Sequence, residues 1–176
     1  MSVLVVATGA AAVVNLNQYL ARIRERVANA RVGCLLTETA ARFLAPRLLH
    51  SLVDELLVGP ELPSPWEIAQ QYDRVVVLPC TKNLLSAAAA GLAMTPAQSI
   101  VAYREDGVTF FPSMNEGIWG LKSTKSQVQT LRMLGHIVVD PVMGPAWIHA
   151  EGAMRNDLSL MDPVSAAAVI ARQIGA

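Results

Sequence analysis

Short apolar runs alternate with helical patterns along nearly the whole of this 176-residue chain, and this alternation restricts the fold more than any other feature. The clearest run, RVVVLP at residues 74–79, is typical of a strand buried on both faces. Further strands are predicted at residues 3–7, 32–36, 55–58, 99–103, 108–111 and 136–139. Helices are predicted over residues 11–28, 37–53, 84–93, 123–134 and 162–174, with a short helix beginning at Trp66. The alternation predicts an α/β protein with a parallel sheet and helices on both faces.

The chain has the length of a single domain, residues 1–176. Only residues 141–161 form a long, glycine-containing segment without a periodic pattern. Segments of this length in compact domains are usually lids or binding loops, or else disordered. The residues alone leave these alternatives open.

The composition argues against several function classes. Fourteen basic residues balance fourteen acidic ones, so no net field favours nucleic acid or an anionic membrane. No apolar stretch reaches the roughly 18 residues of a membrane span. The two cysteines do not make a disulfide framework and no basic region precedes the first apolar run, so we expect a cytoplasmic protein. Hydrophobic residues make up 53% of the chain. Either a well-covered sheet or subunit interfaces can bury this surplus, and we favour a homo-oligomer.

Two predicted strands end in small or hydroxyl-bearing residues. Thr8, Gly9 and Ala10 follow the first strand, and Thr37 and Thr39 follow the second. Ligands of parallel sheets bind beyond the carboxyl ends of the strands, where small side chains let a phosphate approach a helix N-terminus. The same residues would also permit tight strand–helix packing, so both readings stand. Neither a G-x-G-x-x-G fingerprint nor a Walker A motif is present, which disfavours a dinucleotide or nucleoside triphosphate and leaves a mononucleotide such as FMN.

The segment FFPSMNEGIW, residues 110–119, places one carboxamide after an apolar strand and a proline turn. Asn115 offers two hydrogen-bond donors and an acceptor without charge. Such a group suits the binding of a carboxylate or an amide.

Several segments together resemble the homo-oligomeric flavin-containing cysteine decarboxylases, and above all the peptidyl-cysteine decarboxylases of lantibiotic biosynthesis. In chain order they are VLVVATGA (3–10), NQYL (17–20), LPCTKN (78–83), AAGLA (89–93), PSMNEGIW (112–119) and GHIVVDPV (135–142). The third, fourth and fifth are similar to the family motifs PASANT, ANGxA and PxMNxxMW. The resemblance covers essentially the whole chain.

The resemblance implies a Rossmann-like (flavodoxin-like) subunit with FMN at a subunit interface, in homotrimers that can form dodecamers. It also implies a reaction in which FMN oxidises the thiol of a peptide's C-terminal cysteine to a thioaldehyde. That group then accepts the electrons released by decarboxylation, and an aminoenethiol, the precursor of aminovinyl-cysteine, is formed. The implied partner is a ribosomal precursor peptide with a C-terminal cysteine.

The same resemblance assigns the site residues. Asn115 would hold the substrate carboxylate, and Asn83 would lie beside the flavin; these two are the predicted catalytic residues. The predicted cofactor-binding residues are Thr8, Gly9, Ala10, Thr37, Thr39, Pro79, Cys80 and Thr81. The predicted substrate-binding residues are Asn115, Met114, His149 and Arg155, the last two within residues 141–161, which would cover the substrate.

The chain departs from the family at Pro65 and, within the PASANT equivalent, at Thr81, Lys82 and Leu84. Pro65 stands where the family carries its active-site histidine, and a proline side chain has no proton to exchange. Lys82 replaces an alanine of PASANT, either as an exposed turn residue or as a charge near the substrate carboxylate. We predict structural or surface roles for His50 and His136, which leaves His149 as the histidine able to reach the site.

Two alternative functions remain. Flavin prenyltransferases of the same superfamily carry Pro-Cys-Ser where this chain has Pro79-Cys80-Thr81, but they have a Pro-Arg-Glu type motif in place of Pro-Ser-Met-Asn. A non-catalytic FMN-binding subunit would explain the lost histidine. Asn115 favours the decarboxylase, because a pure binding module has no need of a carboxylate-binding asparagine.

Overall fold

A computed structural model describes residues 1–59, 61–104, 106–148 and 151–175, with the backbone alone at residues 147 and 148. Six strands form one parallel sheet in the order β3-β2-β1-β4-β5-β6. They are β1 (Ser2–Ala7), β2 (Arg31–Leu36), β3 (Glu55–Leu57), β4 (Arg74–Cys80), β5 (Thr109–Pro112) and β6 (Ile137–Val138). This is the strand order of a doubly wound Rossmann-like sheet. The predicted fold class is therefore confirmed.

Helices cover both faces of the sheet. They are α1 (Leu16–Arg26), α2 (Glu38–Ala41), α3 (Pro65–Gln70), α4 (Lys82–Ala89), α5 (Pro96–Ala102), α6 (Glu116–Trp119), α7 (Lys122–Met133) and α8 (Pro163–Gln173), with 3-10 turns at Ala11–Asn15 and Pro46–Leu49. Alternation along β1 builds two cores: Val3 and Val5 pack with α1 and α8, whereas Leu4 and Val6 pack with α3, α4, α5 and α7. None of the described helices has the length and apolar character that a membrane crossing requires.

Residues 99–103, predicted as a strand, belong instead to α5. Thr95 caps this helix by accepting a hydrogen bond from the Gln98 backbone N–H at 3.3 Å, and Pro96 occupies its first position. Ile100 and Val101 are buried on one helical face. An apolar, β-branched run can therefore be the inner face of a short helix as well as a strand.

The prediction that residues 37–53 are mostly helical is also wrong. Within that range the chain forms α2 and the 3-10 turn Pro46–Leu49. Pro46 lacks an amide hydrogen and disfavours a helical conformation at the preceding residue. A helix beginning at Thr37 therefore cannot pass through this position.

Residues 141–161 are not structureless, as the pattern suggested, but form a hairpin. Strands β7 (Val142–Ile148) and β8 (Ala153–Ser159) pair antiparallel. Gly152 has φ +62°, a conformation that glycine adopts without steric cost. The hairpin is fastened to the domain where Asp157 Oδ1 accepts a hydrogen bond from the Glu116 backbone N–H at 2.9 Å. That the hairpin covers a substrate stays a prediction.

Candidate functional site

The carboxyl ends of four strands meet along one edge of the sheet. The Thr37 N–H donates to Ala7 O at 3.1 Å, and the Ser113 N–H donates to Cys80 O at 2.9 Å. These bonds join the turn after β1 to the turn after β2, and the turn after β4 to the turn after β5. Most of the residues predicted for the cofactor and substrate therefore lie along one continuous edge.

Thr8 connects the ends of β1 and β4. Its hydroxyl donates to Pro79 O at 2.8 Å and accepts from the Thr81 N–H at 2.9 Å, and the residue is only 4% exposed. The hydroxyl hydrogen is thus already engaged. Thr8 therefore fixes the neighbouring backbone and has no free hydroxyl hydrogen to offer a ligand.

Gly9 lies against Thr39, the second residue of α2. A Cβ on Gly9 would stand 2.4 Å from Thr39 Cγ2 and 2.7 Å from Thr39 Cβ, far inside van der Waals contact. The turn after β1 can approach α2 only because Gly9 has no side chain. Ala10 then begins the 3-10 turn Ala11–Asn15, whose first amides lack intrahelical acceptors. The small side chains leave room beside these amides, so this turn fits a phosphate group.

The residues that begin α2, α4 and α6 are all N-caps at this edge. Thr37 Oγ1 accepts from Ala40 N at 3.3 Å, Thr81 Oγ1 accepts from Leu84 N at 3.4 Å, and Asn115 Oδ1 accepts from Ile118 N at 2.9 Å. Such caps satisfy amides that helix geometry leaves free. Within the described residues the Asn115 NH2 group donates to no acceptor and its side chain is exposed. It can therefore donate to a carboxylate.

The two residues after Thr81 differ in their surroundings. Asn83 is exposed on the first turn of α4, and its side chain hydrogen-bonds to none of the described residues. Lys82 is half-buried, and its Nζ donates to Gln127 Oε1 of α7. Ser86 Oγ donates to the same oxygen at 3.1 Å. Partial burial lowers the pKa of Lys82. The reading of Lys82 as a plain exposed turn residue is therefore wrong.

Three of the predicted binding residues face the protein interior. Pro79 and Cys80 are buried at the end of β4, and Met114 is 8% exposed within the core. The Cys80 thiol donates to Thr81 O at 3.4 Å, and burial raises its pKa far above the ordinary range of a thiol. Contact of these residues with a ligand would therefore come from their backbone.

The remaining candidates lie farther from this edge or outside the described chain. Arg155 is on β8 and pairs with Glu151 at 2.6 Å, while His149 lies outside the described residues. Pro65 is the first residue of α3, a position that suits proline because its missing amide hydrogen would have no partner there.

The other two histidines have surface or structural positions, as predicted. His50 is exposed after the 3-10 turn. His136 Nδ1 accepts from the Val108 N–H at 3.0 Å, and burial lowers the pKa of this imidazole.

Two residues beside the site were missed from the sequence. Asp157 attaches the hairpin next to Asn115, and Gln127 holds Lys82. Neither stands in a recognisable motif, and only the pairing of distant segments brings them to the site. Trp119 of the PSMNEGIW segment is buried, and Lys125 Nζ lies 4.4 Å from the centroid of its ring.

A doubly wound sheet whose carboxyl edge combines a small-residue turn with several helix N-termini is an α/β architecture with room for a phosphate-bearing ligand. The sequence matches the model of the flavoprotein family over residues 1–167, and the chain therefore belongs to that family.

Two curated relatives share part of the sequence. The mersacidin decarboxylase of Bacillus sp. (strain HIL-Y85/54728) is 32% identical over 97 residues, which are 55% of this chain and 50% of that protein. The coenzyme A biosynthesis bifunctional protein CoaBC of Mycobacterium tuberculosis is 34% identical over 122 residues, 66% of this chain and 29% of that protein. The chain thus spans half or less of the length of these relatives.

Solved structures share the fold along most of the chain. An EpiD variant in complex with the substrate peptide DSYTC has a TM-score of 0.82 at 21% identity, covering 92% of each chain. The FMN binding protein AtHal3 has a TM-score of 0.78 at 19% identity, covering 98% of this chain and 95% of that one. At these identities the likeness shows the fold.

Proposed function

We propose that this chain is an FMN-dependent oxidative decarboxylase that acts on the C-terminal cysteine of a ribosomal precursor peptide. The observation that carries the proposal is Asn115, whose amide donors are directed away from the α6 amides that its oxygen caps. It stands on the same sheet edge as the small-residue turn after β1, with the end of β4 between them, in a chain of the flavoprotein family. A similar relative named as a decarboxylase, and a shared fold with a protein solved with a cysteine-ending peptide, agree with this assignment.

The residues at the carboxyl edge fit FMN. Gly9 and Ala10, with the first amides of the turn Ala11–Asn15, would hold the phosphate. Thr37 and Thr39 lie on the adjoining turn, and the backbone of residues 79–81 would border the ring system. When bound, FMN supplies the two-electron oxidation that converts the cysteine thiol to a thioaldehyde.

The protein residues position the substrate for loss of CO2. The Asn115 NH2 group would donate to the cysteine carboxylate and hold its breaking C–C bond in place, and Asn83 would stand at the neighbouring helix start. Decarboxylation sends the electron pair of that bond toward the thioaldehyde, so CO2 leaves and an aminoenethiol forms. Pro65 has no side-chain proton to exchange. A group other than the family histidine must therefore act as the general acid or base toward the substrate.

We also assign the substrate-covering role to the hairpin β7–β8, with His149, Arg155 and Met114 as substrate contacts. Its attachment through Asp157 next to Asn115 supports this role.

The homo-oligomer, a trimer that can form a dodecamer in the cytoplasm, belongs to the same proposal. Exposed apolar side chains support it, among them Met94 at 82%, Met133 at 79% and Leu48 at 66% exposed.

A second candidate substrate is a small acyl-cysteine. CoaBC matches this chain over 122 residues at 34% identity, and a structure sharing the fold is a PPC decarboxylase complexed with pantothenoylaminoethenethiol. That compound carries the product group expected from pantothenoylcysteine by the same oxidation and loss of CO2. Both substrates present the same cysteine carboxylate to Asn115.

Two further readings remain as alternatives. The substitution at Pro65 is what a non-catalytic FMN-binding subunit would show, and AtHal3 bears the name of an FMN binding protein. A flavin prenyltransferase is less well supported, because Pro-Ser-Met-Asn stands where that class carries a charged Pro-Arg-Glu type motif.

The test combines an absorbance spectrum with mass spectrometry of cysteine-ending peptides and of pantothenoylcysteine. A yellow protein that removes about 46 Da, one CO2 and two hydrogens, from a peptide supports the proposal. The same loss from pantothenoylcysteine alone identifies the second candidate. A yellow protein that changes neither compound favours the binding subunit, and a protein that cannot bind FMN contradicts the proposal.

Asn115→Asp sharpens the test. Aspartate caps a helix as well as asparagine does, so α6 should be preserved while the new charge repels the substrate carboxylate. We expect FMN to stay bound and turnover to be lost. Unchanged turnover would show that Asn115 does not bind the carboxylate.

A further inference from the structure

The lysines of this chain form a group apart from its arginines. Eight of the eleven arginines make a salt bridge with a described acid. None of the three lysines does so within the described residues. All three lie at the beginnings of two helices: Lys82 opens α4, Lys122 opens α7, and Lys125 follows in the first turns of α7. We call this group the lysine surface.

Neutral partners hold two of these lysines in place. Lys82 Nζ donates to Gln127 Oε1, and Lys125 Nζ lies 4.4 Å from the centroid of the Trp119 ring. An amide oxygen and an aromatic face orient an ammonium group without neutralising its charge. The positions of these two charges are therefore fixed, and both charges can still attract an anionic group.

The local helix geometry adds to the positive potential. A helix N-terminus carries about half a positive charge, which acidic residues of the first turn usually offset. The first turns of α4 and α7 contain no acid. Three lysines and two helix ends thus amount to roughly four positive charges. Glu116 opens α6 and Asp157 accepts a hydrogen bond from its backbone N–H, and together these two acids offset only part of this total.

Trp119 links Lys125 to the proposed substrate site. Trp119, beneath Lys125, is four residues after Asn115, which is about 6 Å along a helix. An extended peptide advances roughly 3.3 Å per residue. A peptide whose C-terminal carboxylate reaches Asn115 would therefore bring the residues two to four positions before its cysteine to the lysines.

We propose that the lysine surface binds an acidic segment just before the C-terminal cysteine of the substrate peptide. The inference rests on the proposed function for the location of the cysteine, and it names the substrate class as acidic peptides. A surface pair of opposite charges contributes little alone, but three cations, two of them held in place, facing several acids change affinity by roughly three- to tenfold.

The experiment compares two peptides of equal length that end in cysteine. One carries Asp or Glu at the second to fourth positions before the cysteine, and the other carries Asn or Gln there. The combined Lys82→Gln, Lys122→Gln and Lys125→Gln variant is measured against the wild type. Arg26→Gln, Arg47→Gln and Arg172→Gln together form the matched control, because these exposed arginines also lack a described acidic partner.

We expect the wild type to bind the acidic peptide roughly three- to tenfold more tightly at low salt, with the preference declining as salt is added. The lysine variant should lose the preference and the arginine control should keep it. Equal binding of both peptides by the wild type, or an equal loss in the control, would overturn the proposal. So would weaker FMN binding in the lysine variant with an unchanged peptide preference. Binding by fluorescence anisotropy and turnover by mass spectrometry are both recorded. A retained preference without decarboxylation would therefore contradict the proposed function and leave the acidic-peptide surface supported.

Discussion

Placing a methyl group on Gly9 should disturb both the fold and the cofactor turn. In Gly9→Ala the new Cβ would stand 2.4 Å from Thr39 Cγ2 and 2.7 Å from Thr39 Cβ, whereas carbon atoms in contact prefer about 3.5–4.0 Å. The turn and α2 must therefore separate by roughly 1 Å. Overpacking of this kind costs about 1–3 kcal/mol of unfolding free energy.

A second substitution tests whether this contact is the cause. Thr39→Gly removes both crowding atoms and leaves the new methyl group 3.3 Å from the carbonyl carbon of residue 39. Alone, it should cost up to about 1 kcal/mol through the low helix propensity of glycine in α2. The double variant should recover most of the loss, with a favourable coupling of about 1 kcal/mol or more.

Urea unfolding of the wild type, the two single variants and the double variant, with and without FMN, gives the coupling free energy. Quenching of flavin fluorescence gives the FMN affinity. We expect Gly9→Ala to weaken FMN binding and the double variant to recover it in part. If the two single changes add to within about 0.5 kcal/mol, the close approach of the two turns is not what requires glycine. If stability falls while FMN affinity stays unchanged, this turn does not hold the phosphate.

Three further outcomes are expected. Pro65→His should raise turnover if the absent histidine limits the reaction, and a flat response in a mass assay would show that another group has taken its place. Asp157→Ala should release the hairpin and speed amide hydrogen exchange across β7 and β8 about tenfold or more, since hydrogen bonds to charged groups contribute about 1.5–3 kcal/mol; unchanged exchange would show that other contacts hold it. Asp162→Ala should cost about 1 kcal/mol by removing the cap of α8. Hydrogen bonds from Ser165, and then from the Val164 N–H, lower the pKa of Asp162. This stabilisation is present above the unfolded pKa near 4 and is lost as pH falls through the lowered folded pKa. Unfolding measured against pH should therefore show the difference between wild type and variant shrinking in acid, and a constant difference would contradict the assignment.

The parallel sheet could be predicted because its strands are apolar on both faces. The run at residues 74–79 lies within β4, which is buried from Val75 onward. The same signal misassigned α5, since Ile100 and Val101 are equally apolar, although Thr95 and Pro96 already indicated a helix start. The hairpin escaped prediction because its strands satisfy each other's backbone groups rather than following a buried apolar pattern.

Some residues of the candidate site could be predicted from the sequence and others could not. Gly9, Thr37 and Asn115 could be identified because each stands at a strand end, where local geometry favours its residue type. Asp157 and Gln127 could not, because their positions depend on contacts with residues distant in the chain, and exposed polar residues carry no periodic signal. The burial of Met114 likewise follows from the packing of α6 and α7 rather than from its motif.

The Thr8 hydroxyl, which joins two strand ends, bears on the thermodynamics of ligand binding. Valine has nearly the same shape but would leave both the Pro79 carbonyl and the Thr81 amide without this partner. Because these groups are immobilised when the sheet folds, the conformational entropy of the turns is lost at that stage rather than on association. The backbone turns at this edge therefore need little reorganisation when a ligand binds. The ligand's affinity should therefore depend mainly on direct contacts, and its association rate on diffusion to this edge.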